Sequence, residues 1–318
     1  MAAYGVNPLL ENKLRQLYKD HLERSNKTDW SYASLIPWER GRNYDSDPWS
    51  PEQVTISPGL YVAIETALLT EVNLPWFTSG LTDTFRGELE VLQDFIRTWT
   101  SEEDQHGNVL NTYLLLTRNS DPQRLHELRK TVIRTGWDPG GLSPFQAMVY
   151  TAIQELATKV YYLNVARISD DQDPQLSHIL RQITKDETLH YAFYRDAVKA
   201  HLEVNPNYVE AVVEVMMGFV MPGHGMPDIA ERVRLTELNA IYTLEHYYTQ
   251  VLQTLMRVWD IGSLKPDAPS AIESMIKMNK HLDRVARLAA FAERKRGSAD
   301  QDARAASELI AAGWRGPM

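Results

Sequence analysis

Two short runs hold metal-binding residue types at a spacing one ion can use. Glu103 and His106 stand three positions apart in Trp99-Thr100-Ser101-Glu102-Glu103-Asp104-Gln105-His106-Gly107, and Glu187-Thr188-Leu189-His190 repeats the spacing. Three residues of α-helix turn through about 300° and rise about 4.5 Å, so each pair leaves one face and can meet a single ion. Two such turns are half of a carboxylate-bridged dinuclear site, and the other half needs one Glu from each of two further helices. Glu71 precedes Glu103 by 32 positions, and Glu155 precedes Glu187 by the same 32. Helices of about 25–30 residues joined by a short loop bring such positions side by side. Glu71, Glu103, His106, Glu155, Glu187 and His190 thus form the candidate ligand set. Carboxylate and imidazole together suit iron or manganese and suit copper poorly.

Positioning those six requires an all-α fold, a four-helix bundle made of two similar hairpins. Glu155 argues for a buried site by itself: it sits in the largely apolar run Phe145 to Tyr162, where an unpaired carboxylate would be costly. The expected bundle helices run from Gly59 to about Ser79, about Thr84 to Arg118, about Ser143 to Ile168 and about Gln175 to Glu203, with Pro75 kinking the first. A helix from Asn7 to about Asn26 precedes them. A segment with three Trp and three Pro (Trp30 to Pro51) is expected to lie across the bundle. A shorter helix, Pro122 to Thr135, links the hairpins. Further helices follow Asn205-Pro206, from Asp228 to about Trp259, and from Ala268 to about Lys295, with fraying after Arg296-Gly297. The whole, 1–318, reads as one all-helical domain: bundle core about 57–203, N-terminal helix and Trp/Pro-rich segment 1–56, additional C-terminal helices 204–318.

Composition narrows the chemistry. The chain has 318 residues, 43% hydrophobic, with no cysteine, which rules out disulfides, iron–sulfur clusters and thiolate zinc sites and fits a reducing compartment. A net charge of −9 argues against a broad nucleic-acid surface. No run approaches the roughly 18 apolar residues of a membrane span, and the N-terminus lacks the marks of a leader. The expectation is a soluble, cytoplasmic protein.

With the helices placed, the chain resembles the soluble acyl-carrier-protein desaturases of the stearoyl type, a ferritin-like di-iron family. The resemblance runs from Trp30 to about Pro227. It rests on Thr70-Glu71 with Leu74-Pro75, on Trp99 to Gly107 with Leu110-Asn111-x-Tyr113-Leu114, on Tyr150-Thr151-x-x-Gln154-Glu155-x-Ala157-Thr158, on Asp186-Glu187-x-x-His190, and on Met221-Pro222-x-His224-x-Met226. It implies a ferritin-like four-helix bundle with flanking helices, and two Fe ions on the six residues already selected by spacing. O2 would be the co-substrate, and a cis double bond would enter a fatty acyl chain borne by acyl-carrier protein. A ferredoxin-type donor and a homodimer are implied as well. Thr158 falls beside the family's oxygen-binding side, and Asp186 and Trp30 fall on the carboxylate and tryptophan that link a ligand histidine toward the surface. Phe77, Gly80, Phe145, Ala147 and Met148 are candidates for the wall of an acyl channel.

Three positions depart from the family pattern. Val72 stands in place of a Glu, and Gln105 and Leu189 in place of Arg, so the ligand set carries over whole and the charge around it does not. Other readings therefore stay open: a di-iron hydroxylase, a desaturase of a specialised acyl chain, a radical-forming subunit using Tyr162, or a non-catalytic iron-binding or storage homologue.

Overall fold

The structure is a computed structural model that describes residues 4–138, 140–223 and 225–298. His224 of the Met221–Met226 motif and the C-terminal stretch expected to fray, beyond 298, lie outside the described residues. Within them the chain is helical throughout, without a strand. The helices are α1 (Glu11–Thr28), α2 (Pro58–Glu71), α3 (Leu74–Thr84), α4 (Glu90–Leu116), α5 (Pro122–Thr135), α6 (Pro144–Ser169), α7 (Pro174–Val204), α8 (Val209–Gly218), α9 (Ile229–Leu238) and α10 (Pro269–Ser298).

Four starts share one local signal, a capping side chain followed by proline. Ser57-Pro58, Asp121-Pro122, Ser143-Pro144 and Asp173-Pro174 open α2, α5, α6 and α7. The cap oxygen satisfies a free N–H of the first turn, and proline lacks the N–H that would have no partner there. At Ser143 the cap is reciprocal, since Gln146 accepts from the Ser143 N–H at 3.0 Å.

α2 packs on α4 and α6, and α7 packs on the same two, which closes the bundle; α1 lies across α4 and α7. On α4 the buried apolar residues fall into two groups, one ending at Trp99 and one beginning at Val109, and on α7 the groups end at Ile183 and resume at Tyr191. Glu103, His106, Glu187 and His190 occupy the gap between them, a polar layer sealed at both ends by hydrocarbon. α6 is buried on nearly every side, which explains its lack of a polar stripe.

Outside that layer, Glu65 of α2 is fully buried and accepts hydrogen bonds from Arg232 of α9 at 2.7 Å and Arg124 of α5 at 2.6 Å. This cluster fixes two outer helices to the bundle. The Trp/Pro-rich segment is ordered by similar anchors: the Trp49 indole donates to the Arg118 carbonyl at 3.0 Å, and Arg40 pairs with Asp173 at 2.5 Å.

Three helix boundaries differ from expectation. The first bundle helix does not kink at Pro75; it ends at Glu71, and a new helix starts at Leu74 with Pro75 in its first turn. A proline that breaks the ladder serves equally well as a helix start. The second begins at Glu90, because Gly87 takes φ +84° and turns the chain. The stretch from Asp228 to Trp259 is interrupted after α9, where Ala240 has φ 54°, and resumes as Leu244–His246, a π-helical Tyr247–Leu252 and Gln253–Val258.

Candidate metal centre

α2, α4, α6 and α7 bring all six expected ligands together. Their ligand atoms form two overlapping groups, Glu71, Glu103, His106 and Glu187 in one and Glu103, Glu155, Glu187 and His190 in the other, with the atoms of each within 4.8 Å of one another. Glu103 and Glu187 belong to both. The arrangement is two adjacent cation sites with two shared carboxylates.

Both imidazoles turn Nδ1 inward. His106 Nδ1 lies 3.1 Å from Glu103 and 3.4 Å from Glu187; His190 Nδ1 lies 2.9 Å from Glu103 and 3.7 Å from Glu155. The outer nitrogens are held by carboxylates, His106 Nε2 by Asp186 at 3.2 Å and His190 Nε2 by Glu102 at 2.9 Å. A carboxylate only accepts, so each Nε2 carries the hydrogen and a neutral ring has its lone pair on Nδ1, aimed at the centre. Trp30 donates to Asp186 at 2.6 Å, and its indole stacks over His106 at 6.2 Å. Trp99 donates to Glu155 at 3.1 Å, and the Tyr162 hydroxyl donates to Glu71 in a short bond.

The residues fit a pair of divalent cations. Nδ1 of His106, Nδ1 of His190 and Oε1 of Glu187 are buried and make no hydrogen bond, although buried polar atoms normally find a partner. Four carboxylates and two neutral imidazoles also balance two double positive charges. Without cations the crowding of charge shows in the ionisation. Burial, with the Glu103 charge adding to it, pushes Glu71 up to about 8, and burial and Glu103 raise Glu187 well above the carboxylate range. Burial opposes charge on His106 and His190, yet the carboxylates around them hold both well above the usual imidazole value. Burial also opposes the charge of Glu103, but the two imidazoles hold it well below its ordinary value.

Beside the centre lies a cavity of about 20 Å³ bordered by Leu74, Phe77, Gln154 and Thr158 together with the ligands, room for about one water. Thr158 therefore lies on the same cavity as Glu71, Glu103 and Glu187. Of the five expected channel residues Phe77 borders this cavity, whereas Phe145, Ala147 and Met148 pack in the core and Gly80 faces open space.

Sequence reasoning missed Glu102 and His21. His21 of α1, 4% exposed, lies 3.0 Å from Glu102 through Nε2. The signal was present: His21 follows Leu14 and Leu17 on the apolar face of an amphipathic helix, a position where a polar ring needs a partner. The departures from the family pattern are accommodated locally. Gln105 accepts from the Tyr32 N–H at 3.0 Å, near Trp30, while Val72 is buried in the core.

A closed bundle with a doubled carboxylate–histidine layer defines a class, and comparison supplies the family. The chain belongs to the fatty acid desaturase family, whose model matches residues 4–310. It is 29% identical over 275 residues to "Putative acyl-[acyl-carrier-protein] desaturase DesA1" of Mycobacterium tuberculosis, covering 82% of this chain and 80% of that one. With stearoyl-[acyl-carrier-protein] 9-desaturase 6, chloroplastic, of Arabidopsis thaliana it shares 31% over 302 residues, 83% of this chain and 77% of the other. The X-ray structure of DesA2 from Mycobacterium tuberculosis superposes with a TM-score of 0.64 at 19% identity, over 84% of this chain and 99% of that one, a match of fold.

Proposed function

We propose that this protein is an O2-dependent desaturase that introduces a cis double bond into a fatty acyl chain carried on acyl-carrier protein, with two iron ions as its cofactor. The observation that carries the reading is the pair of overlapping ligand groups sharing Glu103 and Glu187, in a family member whose relatives are named for acyl-carrier-protein substrates. Glu71 and His106 would hold one iron, Glu155 and His190 the other, and Glu103 and Glu187 both. With O2 and two electrons, the bound iron pair supplies the oxidising power for removing hydrogen from unactivated methylenes, which no side chain can supply.

The protein's own groups do the rest. The apolar clusters on either side of the polar layer exclude bulk water. Asp186 and Glu102 fix the ring orientation of His106 and His190. Leu74 and Phe77 give the cavity its apolar wall, against which a methylene chain would lie, and Thr158 offers a hydroxyl beside the ligands. Trp30, Asp186 and His106 form a hydrogen-bonded line from the N-terminal segment to the centre, the route we assign to electrons from an external ferredoxin-type donor. The chain works in the cytoplasm as a homodimer of one all-helical domain with its core at 57–203.

Mass spectrometry of acyl-carrier-protein substrates of several lengths, after addition of iron, reduced ferredoxin and O2, tests the reading. The expected result is a loss of two mass units that disappears in Glu155→Ala. A gain of sixteen would make the enzyme a hydroxylase, and unchanged substrates with two irons bound would refute oxidation of acyl chains.

A further inference from the structure

The two outer carboxylates are built alike. Asp186 holds His106 and receives a hydrogen bond from the Trp30 ring. Glu102 holds His190 and is contacted by the His21 ring at 3.0 and 3.3 Å, one distance to each oxygen. Each carboxylate therefore takes one ring donor from the ligand side and one from a segment upstream of the bundle. Glu102 needs the second contact more, since its side chain is 19% exposed against 10% for Asp186. If it swung outward, His190 would lose the acceptor that keeps hydrogen on Nε2 and the lone pair on Nδ1.

Packing alone does not explain a histidine at this place. The ring meets Phe95 edge-on at 5.0 Å and stacks near His190 at 5.9 Å, an environment that an aliphatic side chain would fill at lower desolvation cost. Its other nitrogen, Nδ1, is buried without a partner. His21 also borders a small cleft of about 30 Å³ together with Asp20, Arg24, Leu189, Phe193 and Asp196, room for about one water. The ring is thus oriented by its Nε2 contact with Glu102.

We infer that His21 is a positioning residue for one of the two metal sites: it clamps Glu102 against His190, so that α1 takes part in building the site of Glu155 and His190 and not that of Glu71 and His106. The inference rests on the metal assignment proposed above. Carboxylates behind ligand histidines affect metal affinity by about 10–100-fold, and His21 stands one contact further out, so the lower end applies.

The test is a cobalt(II) titration of the metal-free full-length protein, followed by calorimetry, for wild type, His21→Leu and His21→Gln. Each is measured alone and with either His106→Ala or His190→Ala, with melting of the metal-free forms to establish folding. Wild type is expected to bind two cobalt ions, and His21→Leu to bind one of them about ten-fold more weakly. The same loss should persist in His106→Ala, which retains the Glu155 and His190 site, and vanish in His190→Ala. Glutamine, whose amide can replace the Nε2 donor, should restore binding to within about three-fold. Equal weakening of both ions, no weakening, or no rescue by glutamine would overturn the role of His21. A wild type that takes up no cobalt would remove the metal assignment as well, so failure of the two ideas is distinguishable.

Discussion

Loading the centre with metal should expel protons, because the ionisation of the metal-free layer favours them there. In the metal-free site His106 and His190 are held well above the imidazole value of 6.5, Glu187 lies well above 4.5 and Glu71 reaches about 8, whereas Glu103 stays ionised. These shifts favour protonated groups where cations must sit, so binding of two ions releases protons. The combined binding constant then rises with pH near neutrality, by about one power of ten per pH unit for each proton released. Calorimetric titration with iron(II) under anaerobic conditions, repeated in buffers of different ionisation enthalpy, counts the protons directly. Binding without any proton release would refute this picture of the empty layer. The same shifts fix the stability of the metal-free protein. For groups whose folded value is raised, the stabilisation is complete below the unfolded value and is lost as pH climbs through the folded one. For Glu71 that window runs from 4.5 to about 8, and for the histidines it opens at 6.5. Glu103 acts oppositely, but its stabilisation is lost only in acid. The metal-free form should therefore melt at a lower temperature at pH 8.5 than at pH 6, and metal should abolish the trend.

Three substitutions test other parts of the argument. Glu65→Leu removes the carboxylate that receives Arg232 and Arg124 in the core and should cost about 3–5 kcal/mol in urea denaturation. Tyr162→Phe deletes the donor that favours the ionised form of Glu71; a bond to a charged group is worth about 1.5–3 kcal/mol, so calorimetry should show iron(II) affinity falling about ten-fold or more. Gly136 has φ 68°, and a Cβ there would stand 2.6 Å from the Trp76 ring. Gly136→Ala should therefore lower stability by about 1–3 kcal/mol, read from the melting temperature.

The candidate ligands were legible because metal-binding spacing writes itself into single helices. Glu103 with His106, and Glu187 with His190, each needed one turn, and the matched intervals to Glu71 and Glu155 followed from hairpin length. Groups that meet across separate elements left no such interval. His21 and Glu102 are 81 positions apart, and nothing local says that α1 crosses α4 at that level. Glu102 could be passed over as one more charge beside Glu103. The end of α2 was ambiguous for another reason: Pro75 is compatible with a bent helix and with a fresh start, and tertiary packing of Leu74 and Phe77 decides between them.

That break has a consequence for how substrates are chosen. Glu71 closes α2, while Leu74 and Phe77, the apolar wall of the cavity, belong to α3. Glu71 and the apolar wall that a methylene chain would touch are therefore carried by separate helices joined through Val72 and Asn73. On the proposed function, substitutions confined to α3 would resize that wall while the six candidate ligands on α2, α4, α6 and α7 keep their places. Grafting residues 74–84 from a relative should then change the acyl chain length accepted while leaving metal binding intact, read by product analysis and metal titration.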